Sequence, residues 1–393
     1  MCGIAGAAGV QPRDRSAAMR AMRDRLIHRG PDSGGEFGDN NTALGIRRLR
    51  IIDLVTGDQP QANEDGTVWT VFNGEIYNFR ELRDELRAKG HTFANLSDTE
   101  VIVHLYEEHG DRFAERLEGM FALAVWDSKT RTLVLARDRL GKKPLLYHES
   151  DGEIIFASEH HALLAALPGP PEVDLQAIGL YLRLGFVPAP MDAFAGVRKL
   201  LPAHVLVWRD GRSSIRRYWA PPAPGTLRIT EQEATVELRR LLSLAVSRRL
   251  VADVPLGAFL SGGVDSSAVV ATMASLTSKV RTFAIGFEEP EFSELAHARR
   301  IAEKFGTEHH EFVLRPIDLD ILPLLVRHYG EPYADSSAVP TYHLSKLTRQ
   351  SVTVALNGDG GDELFAGYDR YLAVRLAATL DRIPASVRQP VLR

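Results

Sequence analysis

Leu260-Ser261-Gly262-Gly263-Val264-Asp265-Ser266-Ser267 decides how the second half of this 393-residue chain folds. An apolar run, Val254 to Leu260, leads into it, and a run of small apolar residues, Ala268 to Leu276, leads out. That order reads as strand, tight turn, helix. Two adjacent glycines permit positive φ and a close backbone approach to a ligand. The hydroxyls of Ser261, Ser266 and Ser267 converge with the free N–H groups of the helix start, an arrangement that binds phosphate. Asp265 would repel a bare phosphate, so a bridging Mg²⁺ is implied. The stretch is not a Walker loop, because no G-x-x-x-x-G-K-[ST] occurs. The plainer alternative is a polar turn before an ordinary helix; the flanking strand and helix favour the phosphate loop.

Downstream, Val280–Phe287, Glu308–Leu314 and Val352–Leu356 read as strands. Glu294–Phe305, Ile321–Tyr329 and Thr341–Gln350 read as helices. Such alternation predicts a parallel sheet covered on both faces, with ligands at the carboxyl ends of its strands. A second loop falls there, Asn357-Gly358-Asp359-Gly360-Gly361-Asp362-Glu363. Acidic residues opposite a phosphate loop suit a Mg-nucleotide. Upstream, Glu231–Leu250 reads as an amphipathic helix with Leu238, Leu241, Leu242 and Ala245 on one face. Ala220-Pro221-Pro222-Ala223-Pro224-Gly225 is the strongest linker signal, and the domain boundary is expected there.

The first half has another grain. Met19, Met22 and Leu26 form a helical stripe, and His28-Arg29-Gly30-Pro31-Asp32 ends it in a turn. Asn41 to Ile52 reads as a strand pair. Thr67–Phe72 reads as a strand running into Asn73-Gly74, which by itself favours a turn; the same two residues could also offer the donors of an oxyanion hole. Helices are expected over Phe79–Lys89 and Asp98–His109, with Ser97 or Asp98 as the N-cap of the second. Phe121–Asp127, Thr132–Arg137, Leu145–His148 and Glu153–Ala157 read as strands. Grouped strands and helices predict a sheet-on-sheet core with flanking helices.

The lone cysteine is Cys2. Methionine aminopeptidases act before small second residues, so removal of Met1 is expected. Cys2 would then carry a thiol and a free α-amine, and an amine titrating at about 7.7–8.0 can serve as the thiol's own base. A small apolar strand residue is the bland alternative. One cysteine allows no intrachain disulfide and fits a reducing cytoplasm. A net charge of −4 and a pI near 6.4 do not point to nucleic acid. No apolar stretch approaches membrane-spanning length, and arginines interrupt any signal-peptide core.

The Cys2-Gly3-Ile4-Ala5-Gly6 start, the His28–Asp32 turn, Asn73-Gly74-Glu75-Ile76-Tyr77-Asn78 and Arg137-Asp138 before Gly141 resemble the class II glutamine amidotransferases. The resemblance implies an α+β four-layer αββα N-terminal-nucleophile domain over residues 2–219. By position, Cys2 is the nucleophile, and Asn73 and Gly74 form the oxyanion hole. Arg48 holds the glutamine carboxylate, with Arg50 as the alternative guanidinium. Ile52, Glu75 and Asp98 complete the glutamine site.

Residues 231–393, after a linker at 220–230, resemble an α/β parallel-sheet ATP-pyrophosphatase-type domain. The pairing resembles the glutamine-hydrolysing asparagine synthetases. It implies that Leu260 and Ile285 line the adenosine site, while Ser261, Gly262, Gly263 and Ser266 cradle pyrophosphate. Asn357 and Gly358 touch the nucleotide, Asp265 and Asp362 hold Mg²⁺, and Asp359 serves the acyl-adenylate. The implied partners are glutamine, aspartate and ATP, with no nucleic acid, no membrane and a homodimer as one arrangement. Family members continue beyond the position of Arg393, so the second domain is expected to be incomplete. The alternatives are an amide ligase for another carboxylate (a sugar, peptide or antibiotic precursor) and a glutaminase-only or regulatory protein.

Overall fold

The structure, a computed structural model, describes residues 1–169, 171–223, 225, 227–314 and 319–382. Pro224 and Thr226 of the expected linker, and the last eleven positions of the second domain (383–393), lie outside the described residues. The strands of the first part are β1 (Gly3–Gly9), β2 (Ser33–Gly38), β3 (Thr42–Arg48), β4 (Gln61–Ala62), β5 (Val68–Ile76), β6 (Gly119–Asp127), β7 (Thr132–Arg137), β8 (Leu146–Ser150), β9 (Glu153–Ala157), β10 (Val197–Lys199), β11 (His204–Arg209) and β12 (Arg212–Arg217). Its helices are α1 (Ser16–Asp24), α2 (Phe79–Ala88), α3 (Val101–His109), α4 (His160–Leu163) and α5 (Leu175–Leu184). There follow α6 (Glu231–Arg249), β13 (Leu256–Phe259), α7 (Val264–Leu276), β14 (Arg281–Phe287), α8 (Leu295–Phe305), β15 (Glu308–Leu314), α9 (Leu322–Tyr329), α10 (Ala338–Thr348), β16 (Val354–Leu356), α11 (Gly361–Phe365) and α12 (Asp369–Leu380).

The chain forms two compact units. The first gathers the described parts of 1–234 and 318–341 with 251–254; the second takes 235–250 and the described parts of 255–317 and 342–393.

Unit one is built on two six-stranded antiparallel sheets, ordered β10-β8-β9-β1-β3-β2 and β12-β11-β7-β6-β5-β4. Side chains alternate across each strand, so every strand feeds two layers. Ile4, Leu44, Ile46, Val71, Trp126 and Phe156 fill the space between the sheets. The outward residues of the second sheet, among them Phe72, Phe121 and Leu123, meet Phe79, Leu82 and Leu86 of α2 and Val101, Ile102 and Leu105 of α3. Ala5, Ala7 and Ala157 on the far side of the first sheet meet Met22 of α1, Leu26 beyond it and Leu163 of α4. Helix, sheet, sheet, helix is the four-layer order expected. Each fully buried large apolar side chain contributes about 1.5–3 kcal/mol.

Three local expectations change. β2 was not legible: the hairpin partner of β3 is Ser33–Gly38, and residues 49–53 are loop, not strand. β5 does not turn at Asn73-Gly74 but continues to Ile76, pairing Asn73 with Ala122 and Gly74 with Phe121. A Cβ at Gly74 would collide with Met120 O, so glycine serves the close approach of two strands rather than a bend. Neither Ser97 nor Asp98 caps α3; the N-cap position is Glu100, without a side-chain bond, and the Asp98 carboxylate instead accepts the Ile76 N–H at 2.9 Å.

Unit two has a four-stranded parallel sheet, ordered β15-β14-β13-β16. Its core joins Ala258, Leu260, Val270, Met273, Ala284, Ala298, Leu356 and Val246 of α6. Only part of the face expected for α6 is buried: Leu242 packs against the core beside enclosed Val246 and Ala245 is half-buried, whereas Leu238 and Leu241 are 45% and 46% exposed. No helix among the described residues is long and apolar enough to cross a membrane.

Candidate active site

Cys2 immediately precedes β1. Gly3 is required behind it, since a Cβ there would sit 2.8 Å from Leu26 Cβ. The Cys2 thiol faces the Leu49 backbone: Leu49 N–H donates to Sγ at 3.4 Å, and the thiol approaches Leu49 O at 3.7 Å. Arg29 donates Nε to Cys2 O at 2.9 Å and Nη1 to Glu159 Oε1 at 2.6 Å. This clamp fixes the backbone of the second residue. Burial pushes the Cys2 thiol above its ordinary value; the Leu49 bond, the N-terminal amine and Arg48 pull it down without overcoming burial. With Met1 in place the thiol is therefore not a ready thiolate.

Asn73 on β5 is 1% exposed, and its Nδ2 has no hydrogen-bond partner. An unpaired buried amide costs about 1–3 kcal/mol, which a ligand oxygen would recover. Glu75, two residues on, is also buried. Asp98 is buried too, and desolvation raises its carboxyl to about 6 despite the Ile76 hydrogen bond. Lys143 ties these groups to Cys2: burial pushes its ammonium down to about 8, against the charge of Glu75, with Arg29, Asp138 and Cys2 also acting on it. Its Nζ donates to Met1 Sδ at 2.9 Å.

Arg48, 4% exposed, is held by three acceptors. Nη1 donates to Asp58 Oδ1 at 2.7 Å, and Nη2 donates to Ile52 O at 2.9 Å and Asp53 O at 2.8 Å. Arg50 is more exposed and donates Nη2 to Asp58 Oδ2 at 2.8 Å. Burial favours protonation of Asp58, but hydrogen bonds from Arg50, Arg48 and Ser33 outweigh it and hold the carboxyl at about 2. Sequence reading missed Asp58, Arg29 and Lys143. Gly57-Asp58 beside two arginines was an available signal, and Arg29 lay within the quoted turn. Lys143 gave none, since a loop lysine ordinarily reads as solvated.

In unit two, Gly262 takes φ +84, and a Cβ there would lie 2.5 Å from His297 C of α8. Ser261 and Ser266 hydroxyls lie 2.9 Å apart, and Gly263 N–H donates to Ser261 Oγ at 3.2 Å. The loop is thus self-bonded, with α7 starting at Val264. Leu260 is enclosed in the core, so only its backbone can meet a nucleotide; Ile285 on β14 is half-buried. The two expected loops meet. A Cβ at Gly358 would lie 2.7 Å from Ser266 N and 2.9 Å from Asp265 Cβ, and one at Gly361 would collide with the Asp265 carboxylate. A Cβ at Gly367 would likewise strike Asp362 Oδ1. Asn357 Nδ2 donates to Asp359 Oδ2 at 2.6 Å, so these two bond each other.

Residues 1–219 match the family model "Glutamine amidotransferase domain", and residues 237–393 match "Asparagine synthase". The chain is 38% identical over 398 residues to asparagine synthetase [glutamine-hydrolyzing] 1 of Bacillus subtilis (strain 168), covering all of this chain and 63% of that protein. It is 36% identical over 392 residues to asparagine synthetase [glutamine-hydrolyzing] 3 of the same organism, covering 94% and 63%. A Methanocaldococcus jannaschii relative is 35% identical over 397 residues, covering 95% of this chain and 76% of its own length. The chain therefore spans under two thirds of the length of the Bacillus proteins it matches. A cysteine at the head of a four-layer fold, a glycine-cradled aspartate beside a phosphate-type loop and these matches together show that the chain belongs to the glutamine-hydrolyzing asparagine synthetase family.

Proposed function

We propose that this protein makes asparagine from aspartate, ATP and glutamine. The observation that carries most weight is the buried, unpartnered Asn73 amide on the strand that also bears Glu75. Once Met1 is removed, the Cys2 α-amine takes the thiol proton and Sγ attacks the glutamine carboxamide carbon. The C–S bond forms as the oxygen becomes an oxyanion held by Asn73 Nδ2 and the Gly74 N–H. The Cys2 ammonium returns its proton to the leaving nitrogen, ammonia departs, and water releases glutamate from the thioester.

Arg48 reads the glutamine α-carboxylate by handing Asp58 to Arg50, which already bonds its other oxygen. Ionised Glu75 and Asp98 read the α-ammonium, and Ile52 borders the site. In unit two the aspartate β-carboxylate attacks the α-phosphorus of ATP, the bond to pyrophosphate breaks, and ammonia then displaces AMP from the acyl carbon with loss of one proton. The Ser261–Ser266 loop and the first amides of α7 receive pyrophosphate, with Asn357 and Gly358 beside the nucleotide. Asp359 serves the acyl-adenylate. Asp265 and Asp362, each bordered by glycine, suit Mg²⁺, which when bound would neutralise pyrophosphate charge. A free catalytic thiol suits a reducing cytoplasm, and a homodimer is part of the same reading.

The test supplies labelled glutamine, Mg-ATP and a panel of carboxylates, following glutamate, pyrophosphate and the amide product. Aspartate-dependent pyrophosphate with asparagine supports the proposal. Pyrophosphate with another carboxylate would reassign the acceptor, and glutamate release with no pyrophosphate would overturn the synthetase half.

A further inference from the structure

We infer that unit one holds a structural divalent-metal site, of zinc type, formed by Glu64, His91, His104 and Glu107. The four come from three segments: Glu64 from the β4–β5 connection, His91 from the chain after α2, and His104 with Glu107 from one face of α3. All four ligand atoms lie within 4.8 Å of one another. Both imidazoles present Nδ1. His91 Nδ1 is 3.2 Å from Glu64 Oε1 and 3.8 Å from Glu107 Oε2. His104 Nδ1 is 3.3 Å from Glu64 Oε2 and 3.3 Å from Glu107 Oε2.

Zinc bonds of about 2.0–2.2 Å in a tetrahedron separate neighbouring ligands by about 3.3–3.6 Å; both His104 distances fall there, and the His91 distances of 3.2 and 3.8 Å lie just to either side. One N–H on His104 shared between two carboxylates makes only a weak three-centre bond, whereas one cation can serve all four groups. A metal-bound histidine turns its second nitrogen to a carboxylate; His91 does so by a hydrogen bond to Glu108, whereas His104 Nε2 only faces Glu100 without bonding it. His91 Nε2 lies 3.3 Å from Glu108 Oε1, and His104 Nε2 faces Glu100 at 3.7 Å. The ligating carboxylates are themselves steadied: Thr92 N–H donates to Glu64 Oε1 at 2.9 Å, and Asn63 Nδ2 donates to Glu107 Oε1 at 2.7 Å. Two nitrogens and two oxygens with no open position define a structural site. The segment it clips, from His91 to His104, carries Asp98.

The full chain, stripped with a strong chelator and dialysed, is titrated with zinc alone and with cobalt(II) alone. Metal content is read by mass spectrometry, geometry by the visible spectrum of the cobalt form, and stability by Tm. The expected result is one tightly held equivalent, a tetrahedral cobalt spectrum and a Tm raised by zinc. Glu64→Gln and His91→Ala, both at partly exposed positions, should weaken that binding at least about tenfold and abolish the Tm response, while circular dichroism shows the fold intact. His161→Gln, in a separate histidine cluster, should change neither. Absence of stoichiometric uptake, or uptake indifferent to both Glu64→Gln and His91→Ala, overturns the site.

Discussion

At the scale of single residues, the sharpest expectation concerns Cys2. Cys2→Ala should abolish glutamate release from glutamine, and mass spectrometry of active protein should find Met1 absent. Turnover by Cys2→Ala, or by protein retaining Met1, would contradict the nucleophile. Asp98 gives a pH expectation. Its carboxyl is raised to about 6 in the folded state, against about 4 in an unfolded chain. Below about 4 both states hold the proton. Between 4 and 6 the unfolded chain releases a proton that the folded chain keeps, so stability falls as pH rises, by roughly 3 kcal/mol in all. Asp98→Asn should flatten that decline in a denaturation series across pH 4–7, while raising KM for glutamine. Arg48→Ala should raise KM by about tenfold or more, from a charged hydrogen bond of about 1.5–3 kcal/mol, and should lower Tm because Ile52 O and Asp53 O lose their donor. A larger KM effect from Arg50→Ala would reverse the assignment. The place of Cys2 at the head of β1 was legible because it is the second residue before an apolar run, whereas Asn73 read by itself as a turn. Lys143 was not legible, because its surroundings arise from burial; Asp58 lies near Arg48 and Arg50 in sequence, but only the fold joins it to both.

At the scale of elements, glycines decide more than periodicity does. Gly262→Ala would force positive φ on a side chain and drive its Cβ into the α8 backbone at His297. It should eliminate exchange of labelled pyrophosphate into ATP and leave glutamine hydrolysis measurable; normal exchange would refute the phosphate-loop assignment. The strand–turn–helix at β13 and α7 was readable because local propensity and tertiary context agree there. They disagree at β5, where Asn73-Gly74 carries turn chemistry but pairing with β6 holds it extended. β2 escaped notice because Ser33-Gly34-Gly35-Glu36-Phe37-Gly38 has one large apolar residue. Its glycines are explained by what lies against them: a Cβ at Gly35 would collide with Gln59 O. Of the α6 stripe, Leu242 reaches the core of unit two, joined by Val246 from outside the stripe, while Leu238 and Leu241 stay exposed.

At the scale of the whole molecule, two chemistries on separate units should be separable. Asp265→Asn and Asp362→Asn should each remove aspartate-dependent pyrophosphate formation while glutamate release continues; loss of both activities together would argue against independent sites. The linker signal at 220–225 marks where composition changes, but nothing in it announces that the chain later returns to the first unit. That return is physical. Lys199 is ion-paired with Glu331, Ala334 N–H donates to Gly185 O at 2.9 Å, and Gly330 lies against His160 where a Cβ would be 2.6 Å from its ring. During synthesis the consequence is one of timing. The ribosome must release most of the second unit's sheet before the first unit can acquire its last segment. A nascent chain halted at the linker therefore carries every group of the proposed glutamine site, yet leaves Lys199 and Gly185 waiting for residues not yet translated.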